Sequence, residues 1–581
     1  MGRGLVKDGS WRAEALCNSL YAAGSALTYF VAAAILVSAL ILIAGASISA
    51  AVVPVAAICA AAGTFLTTPR DSRVHAAAGV AIAAVVVGCS MLIAASVIDA
   101  SYDGNSYQKA AIGALAHGWN PVYESIKTWW ARTDFDLSPV THALWVDHYP
   151  KASWLFGASL YAVTGTIESA KAINFIMAAA MMFVLFSWLR TRSLGTGAAA
   201  LVVVLAAVNP IVLPQLLTNY VDGLLACVLF LIITLLLSRA DDGYPRGKSR
   251  SSDVLLAAAI LICVNIKFTG FVYAGFFCGS FYVLEAIRSW KSKEPGALAH
   301  VLRRTGYYAL VVFVAAVIAG SNSYVRNLID HGSPFYPLIS SQTVDIVSGN
   351  EPDSFEDMNP FEQFARSLFS KTENKRKEPV DLKLPFTFSV DELSVSDIDT
   401  RRAGFGAFFS GIVIVSGAVC IGGLVVLWWD DRRWVSVAAA LLVPMVALIG
   451  LTDGCWWARY TPYLWIIPTS ALVLLLGRRD EGRRRPFRMV LATTLALIVA
   501  VDVATFIPSV TGAIGASSQV DKFIDEVKAL DGTVDIVLGD PARGGWLYNI
   551  KDAGVQYRLV ASIDEGDAKT LDLPIAGITA S

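Results

Sequence analysis

Charge is what this chain has least of. Only 16% of its 581 residues are Asp, Glu, Lys or Arg, against 55% hydrophobic, which excludes a soluble globule of ordinary composition. Cysteine is scarce too. The eight (17, 59, 89, 227, 263, 278, 420 and 455) fall within or beside apolar runs. Only Cys455 belongs to a loop expected outside, so no extracellular disulfide framework is on offer and small buried packing positions are the expected role. There is no internal repeat, no G-x-x-x-x-G-K-[ST] and no G-x-G-x-x-G, which removes the phosphate-cradling nucleotide loops. The apolar runs are also nearly free of ionisable residues, whereas a transporter lines a path across the bilayer with them.

What is present is a series of long apolar runs, such as Leu27 to Ser47, Val74 to Ile98, Ser169 to Leu189 and Leu491 to Ile507. Each is near the roughly 20 residues that an α-helix needs to cross the hydrocarbon core. The expected fold class is an all-α polytopic membrane protein; a barrel does not look like this. Basic residues gather just beyond these runs, at Arg70/Arg73, Arg190/Arg192, Arg239 to Arg250, Arg288 to Arg304, Arg432/Arg433 and Arg478 to Arg488. By the positive-inside rule these turns are cytoplasmic, as is the N-terminal segment 1–26 with Arg3, Lys7 and Arg12. No small-residue cleavage site follows the first run, so it reads as a retained span.

About thirteen spans result, near 27–47, 48–67, 74–98, 167–189, 196–213, 222–238, 254–268, 270–288, 305–321, 404–428, 434–451, 461–477 and 488–508. Parity then puts loops 99–166, 322–403 and 452–460 outside, together with the tail 509–581. Residues 99–151 are rich in Trp, Tyr, His and Asp, which suits helices lying along the headgroup layer. Residues 152–166 read as a short segment entering from outside. The tail changes to soluble character: Val520, Phe523, Ile524, Val527 and Leu530 recur at helical spacing, and Val534 to Leu538 and Tyr557 to Val560 read as short strands. A small α/β cap of about seventy residues is near the lower limit for folding alone, so docking on the outer loops is expected.

The polar chemistry gathers at this one face. Asp103, in Ser101-Tyr102-Asp103-Gly104-Asn105-Ser106-Tyr107, leaves a carboxylate just past a span, where it can accept a proton from an acceptor hydroxyl. A helix-ending turn before glycine is the bland alternative. Asp147-His148-Tyr149-Pro150-Lys151 precedes a proline, so an extended or turning chain could bring Asp147 and His148 to one cavity. Asp134-Phe135-Asp136 is a short D-x-D string that could hold a divalent cation. Lys267, between two apolar runs, wants an anion or a cavity, or snorkels to the headgroups. Arg326 and Asn327 follow Tyr324, and Arg459 lies among Trp456, Trp457 and Tyr460. Arginine flanked by aromatics suits a lipid-borne phosphate, and equally an aromatic belt with a snorkelling cation. Asp222 opens an outer helix end, as a site carboxylate or a cap.

Taken in order, these segments resemble the GT-C superfamily of integral-membrane glycosyltransferases, especially the bacterial polyprenyl-phosphate-sugar-dependent branch with aminoarabinose and mannosyl transferases. Tyr102-Asp103-Gly104-Asn105-Ser106-Tyr107 looks like the family's first-loop aspartate motif. His148-Tyr149-Pro150-Lys151 is similar to its aromatic-Pro-Pro entry, with Lys151 replacing the second proline. Asn209-Pro210, Tyr220-Val221-Asp222, Lys267-Phe268-Thr269-Gly270, Tyr324-Val325-Arg326-Asn327, Gly332-Ser333-Pro334-Phe335-Tyr336-Pro337, Arg402-Ala403-Gly404-Phe405-Gly406 and Trp457-Ala458-Arg459-Tyr460 follow in the family's order. The likeness covers roughly residues 95–480 and leaves the first two spans and the tail outside it.

The resemblance implies an inverting transfer at the outer face of a bacterial inner membrane, from a polyprenyl-phosphate-linked sugar to an envelope glycan or lipid-linked acceptor. Asp103 is then the base. Lys267, Arg459 and Arg326, with Trp457 and Tyr460, hold the donor phosphate and lipid. Asp147, His148, Tyr149, Tyr107, Asp222 and Asn327 are the expected substrate contacts. Membrane lipid is an expected partner and nucleic acid is not; no cofactor is assigned, and a divalent cation is left open. A lipid-linked-sugar flippase and a catalytically silent assembly protein are the rival classes.

Overall fold

The computed structural model of the chain describes all residues except 1–9, 134–141, 243–249, 293–295, 342, 346, 478–483, 531, 541–542, 564–569 and 575–577. Among the described residues, nine helices are long and apolar enough to cross a membrane, by length and composition. Four shorter apolar helices, Val52–Thr67, Thr196–Ala207, Ser251–Ile266 and Pro462–Gly477, stand where the remaining expected spans fall. Each apolar run of the sequence has thus become a helix, though four are shorter than a membrane-crossing length. The first helix begins at Ser10, well ahead of the first apolar residue of its run.

Small residues set the packing of the opening helices, since apolar side chains gain nothing by leaving lipid for one another and close backbone approach must supply the contact. A Cβ on Gly24 would stand 2.8 Å from Val184 Cγ2 and 2.9 Å from the Ala180 carbonyl. One on Gly79 would stand 2.6 Å from Ala22 Cβ. The first helix therefore lies directly against helices Arg73–Ala95 and Ala172–Thr191. Cysteine does not play the uniform packing role expected of it. All eight are free; Cys227, Cys263, Cys278 and Cys455 are buried, whereas Cys59 and Cys89 are exposed on helix surfaces.

The segment 322–403 is held by its own polar staples. Helix Pro360–Leu368 starts with a capping box between Asn359 and Glu362. Near the segment's end, the fully buried Arg402 guanidinium reaches Glu373 Oε1 at 2.9 Å and the carbonyls of Lys377 and Pro379, while Glu373 and Arg402 pair through their backbones. An interior arginine is tolerated only when its donors are met in this way. Its consequence is to fix residues 397–402 against the apolar body.

The tail has the expected α/β character, with two strands more than the pattern gave. Helix Ile507–Lys528 buries Val520, Phe523, Ile524 and Val527. The sheet comprises β1 (Val534–Leu538), β2 (Tyr557–Leu559), β3 (Leu571–Leu573) and β4 (Ile578–Ala580) in the order β2-β1-β4-β3. β1 runs parallel to β2 and antiparallel to β4. The last two strands are only three residues long, too short for alternation to show in sequence.

Candidate active site

A buried carboxylate builds the turn that carries Asp103. Asp99 Oδ1 accepts from Ser101 N at 2.8 Å, and its Oδ2 accepts from both Asn219 N at 2.7 Å and Asn219 Nδ2 at 2.8 Å. The segment before Asp103 is thereby tied to the one leading into Asp222. Asn105 Nδ2 donates back to the Asp99 and Ser101 carbonyls, closing the turn. Glycine at 104 is required by space: a Cβ would lie 2.1 Å from Asp99 Oδ2 and 2.5 Å from Ser101 Oγ. The π-helical turn Gly104–Gln108 follows, and Asp103 is left at its lip.

The C-terminal domain grips this turn from the other side. Gly545 N donates to the Asn105 carbonyl at 2.7 Å, and a Cβ on Gly545 would meet that backbone at 2.7 to 3.1 Å. Lys109 Nζ donates to Asn549 Oδ1 at 2.8 Å and pairs with Glu168 Oε1 at 2.7 Å; Asn549 Nδ2 donates to the same Glu168 oxygen. Helix Trp546–Asp552 buries Trp546, Leu547, Tyr548, Asn549 and Ile550, and Asp552 accepts from Tyr161 Oη and Ile167 N. The tail is thereby integrated with residues 105–168.

Five charged groups meet at Asp103. Arg459 Nη1 stands 2.9 Å from Asp399 Oδ2, 3.7 Å from Asp103 Oδ2 and 3.9 Å from Asp222 Oδ2. Lys267 Nζ donates to Asp222 Oδ1 at 2.8 Å and lies 4.5 Å from the centre of the Tyr460 ring. Arg459 lies over Trp457 at 4.1 Å and Tyr460 at 5.2 Å. Trp457 Nε1 in turn donates to Asp399 Oδ1 at 2.8 Å, and Tyr107 Oη donates to Asp103 Oδ2 at 3.4 Å. Tyr149 packs edge-on against Tyr107 and Phe268, the residue after Lys267.

Three carboxylates against two cations leave this cluster formally one negative charge in excess when all are ionised. Burial raises the Asp103 carboxyl above its usual range, with Arg459 opposing the shift and Asp222 adding to it. Burial pushes Asp399 up to about 6, again against the pull of Arg459. A cavity of about 560 Å³ opens on the cluster, lined by Tyr102, Asp103, Tyr220, Asp399, Trp457 and Arg459 together with Asp345, Gly349, Asn350, Asn374, Arg376, Ile398 and Arg401.

Not all expected residues reach the cavity. The chain is helical from Ala143 to His148, not extended, because Pro150 is far enough on to restrict only Tyr149. Asp147 Oδ1 accepts from Ile126 N at 2.7 Å, capping a neighbouring helix. His148 Nδ1 sits 2.8 Å from Asn327 Oδ1, and its ring packs edge-on against His331 and Tyr336. Burial holds this imidazole down to about 4, so it is neutral near pH 7. Asn327 Nδ2 is spent on the carbonyls of His148 and Tyr336. Arg326 turns to Asp330 and to the Pro121 carbonyl. Asp147, His148, Arg326 and Asn327 therefore pin loops together beside the cavity and do not line it.

Asp399, Arg401 and Arg376 line it without having been expected to. They lie in a charge-rich stretch with no periodicity, and only the Arg402 staple a few residues on marks that the stretch is fixed. Among the described residues no three His, Cys, Asp or Glu side chains are grouped so as to hold a metal ion. Asp134 and Asp136 lie outside the described residues.

No family model matches the chain, and no curated protein matches it. Among solved structures, ArnT from Cupriavidus metallidurans in its apo state aligns at 14% identity over 84% of this chain and 85% of that one, with a TM-score of 0.44. The same protein bound to undecaprenyl phosphate aligns at 13% identity with the same coverage and score. The Archaeoglobus fulgidus oligosaccharyltransferase tethered with an acceptor peptide aligns at 13% identity over 84% of this chain and 60% of that one, with a TM-score of 0.34. The chain is similar to these proteins at a level that carries no residue-by-residue correspondence.

Proposed function

We propose that this chain is a membrane glycosyltransferase of the GT-C type. It moves a sugar from a polyprenyl-phosphate-linked donor to a hydroxyl of an extracytoplasmic envelope acceptor, with inversion at the anomeric carbon. The observation that carries this reading is the placement of Asp103, a carboxylate with raised proton affinity, 3.7 Å from the Arg459 guanidinium on the wall of one cavity, with Lys267 and Asp222 behind it. A base and a cation that can receive an oxyanion are the two parts that such a transfer needs.

In the reaction, an Asp103 oxygen takes the acceptor hydroxyl proton as that oxygen bonds to the anomeric carbon. The bond from the anomeric carbon to the phosphate oxygen breaks, its electron pair stays on the phosphate, and polyprenyl phosphate leaves. Arg459 and Lys267 face the growing charge. Both are already paired, so an incoming phosphate must replace a carboxylate at the guanidinium. Asp399 is the one to yield, since burial already disfavours its charge and it occupies the shortest contact to Arg459. The site belongs at the outer surface of a bacterial inner membrane, with the C-terminal domain over it, on the strength of the basic turns at the opposite helix ends.

A flippase would need ionisable groups strung between the two faces. The buried charged groups here gather instead at helix ends: Asp222, Lys267 and Arg459 at one, and Arg239, Glu285 and Arg304 at another. The test is product analysis with purified protein, a polyprenyl-phosphate hexose or pentose and an envelope extract. A glycosylated product of inverted anomeric configuration supports the reading; donor movement across a bilayer without bond cleavage contradicts it.

A further inference from the structure

The cavity has lining residues that the chemistry at Asp103 does not use. They include Arg376, Arg401, Asn350 and Asn374, all from the 322–403 segment. Arg401 directs Nε and Nη2 to Asn350 Oδ1 at 3.3 and 3.1 Å, and Nη1 to Asn374 Oδ1. Asn374 is held in that orientation because its Nδ2 donates to Asp397 Oδ1 at 2.9 Å. These partners are neutral amide oxygens. They fix the guanidinium, which has no ion-pair partner among the described residues although the Asp399 charge acts on it from further off, and a guanidinium has five N–H donors, of which three are used. The guanidinium also lies 5.1 Å from the centre of the Trp457 ring, the indole that Arg459 covers at 4.1 Å. One ring therefore touches both guanidiniums.

Arg376 is exposed at the same wall, and among the described residues neither it nor Arg401 forms an ion pair. The contrast with Arg459, which has three carboxylates within 4 Å, is the informative point. Tyr102, the residue before Asp103, lines the same cavity, and its hydroxyl feels burial and the negative charges of Asp540 and Asp103 more than the positive charges of Arg543 and Arg376. Two guanidiniums without an ion-pair partner on the wall of one cavity, Arg401 fixed and Arg376 exposed, favour an anion there despite the nearby Asp345, and a forked guanidinium matches the oxygens of phosphate or carboxylate.

Resting on the glycosyltransferase reading, we infer that Arg376 and Arg401 form an anion subsite for the acceptor, which carries a phosphate or carboxylate besides the hydroxyl presented to Asp103. The sugar-phosphate linkage of the donor belongs to Arg459 and Lys267. The acceptor's own anion belongs to Arg376 and Arg401, and Trp457 lies between.

The test is direct binding to the full-length protein in zwitterionic nanodiscs, with glucose 6-phosphate, glucuronate and glucose as probes. Glucose 6-phosphate and glucuronate are expected to bind at least tenfold more tightly than glucose, with the difference fading as salt rises. Arg376→Gln, at an exposed position where folding is not at stake, and Arg401→Gln should each reduce that preference, and together abolish it. Arg401→Lys should keep part of it. If the anion is a lipid headgroup, phosphatidylglycerol nanodiscs will compete with glucose 6-phosphate; if it is water-borne, they will not. Equal binding of glucose and glucose 6-phosphate, or an unchanged preference in Arg376→Gln with Arg401→Gln, overturns the subsite. Because binding and not turnover is read, this outcome is separate from failure of the transferase reading, which shows as unimpaired turnover after loss of the Asp103 carboxylate.

Discussion

Arg459 Nη1 lies closer to Asp399 Oδ2, at 2.9 Å, than to any oxygen of Asp103, at 3.7 Å. The guanidinium expected to receive the donor phosphate is thus occupied by an internal carboxylate whose proton affinity burial has raised. On the proposed function, that relationship would make Asp399 a competitor of the phosphate.

Asp399→Asn should therefore strengthen undecaprenyl phosphate binding severalfold at pH 7.5. The sign follows from its titration. Above about 6 the Asp399 carboxyl is ionised and holds Arg459; below about 6 it is neutral and the cation is released. Wild-type affinity should then improve on acidification more than that of Asp399→Asn. The phosphate monoester also titrates near 6, so the informative quantity is the difference between the two proteins. Identical pH profiles would mean that Asp399 does not compete.

The rate should have an acidic limb above the ordinary carboxylate range. Asp103 acts ionised, burial raises its proton affinity, and Arg459 lowers it. Removing the cation in Arg459→Gln should move the limb to still higher pH, besides weakening the donor interaction. Measured as kcat/KM against pH, a limb that stays in place or moves down contradicts the pairing of Asp103 with Arg459.

The C-terminal domain should matter to turnover through geometry alone. Gly545→Ala puts a methyl 2.7 Å from Asn105 Cα and 2.8 Å from its carbonyl oxygen, two residues from Asp103. A displacement of about 1 Å at a reacting group can cost on the order of 10²-fold. We expect kcat to fall about tenfold or more, while undecaprenyl phosphate affinity and thermal unfolding change little. A fall in affinity with kcat intact would point to another role for the domain.

Much of this was legible in the sequence, and the boundary is instructive. Apolar runs announce helices because burial in lipid needs length and little else, so every expected span has one. Asp103, Lys267, Asp222, Trp457, Arg459 and Tyr460 stand out because a polar residue at an apolar helix end is locally conspicuous, and the structure brings them to one cluster. The same reasoning selected His148, Asn327 and Arg326, which satisfy one another or nearby backbone; local sequence does not tell a polar residue that pins loops from one that faces a cavity. Asp399 and Arg401 were illegible for the opposite reason. Their surroundings are polar throughout, and only a distant pairing, Arg402 with Glu373, carries them to the site.

Whether Asp103 is the base of a sugar transfer is read from turnover of a polyprenyl-phosphate sugar by purified wild-type protein and by Asp103→Asn, with donor binding measured alongside. General-base removal typically costs about 10²–10⁴-fold, so turnover is expected to fall by at least about 10²-fold while undecaprenyl phosphate still binds and the protein remains folded. Wild-type-like turnover in Asp103→Asn would contradict the account.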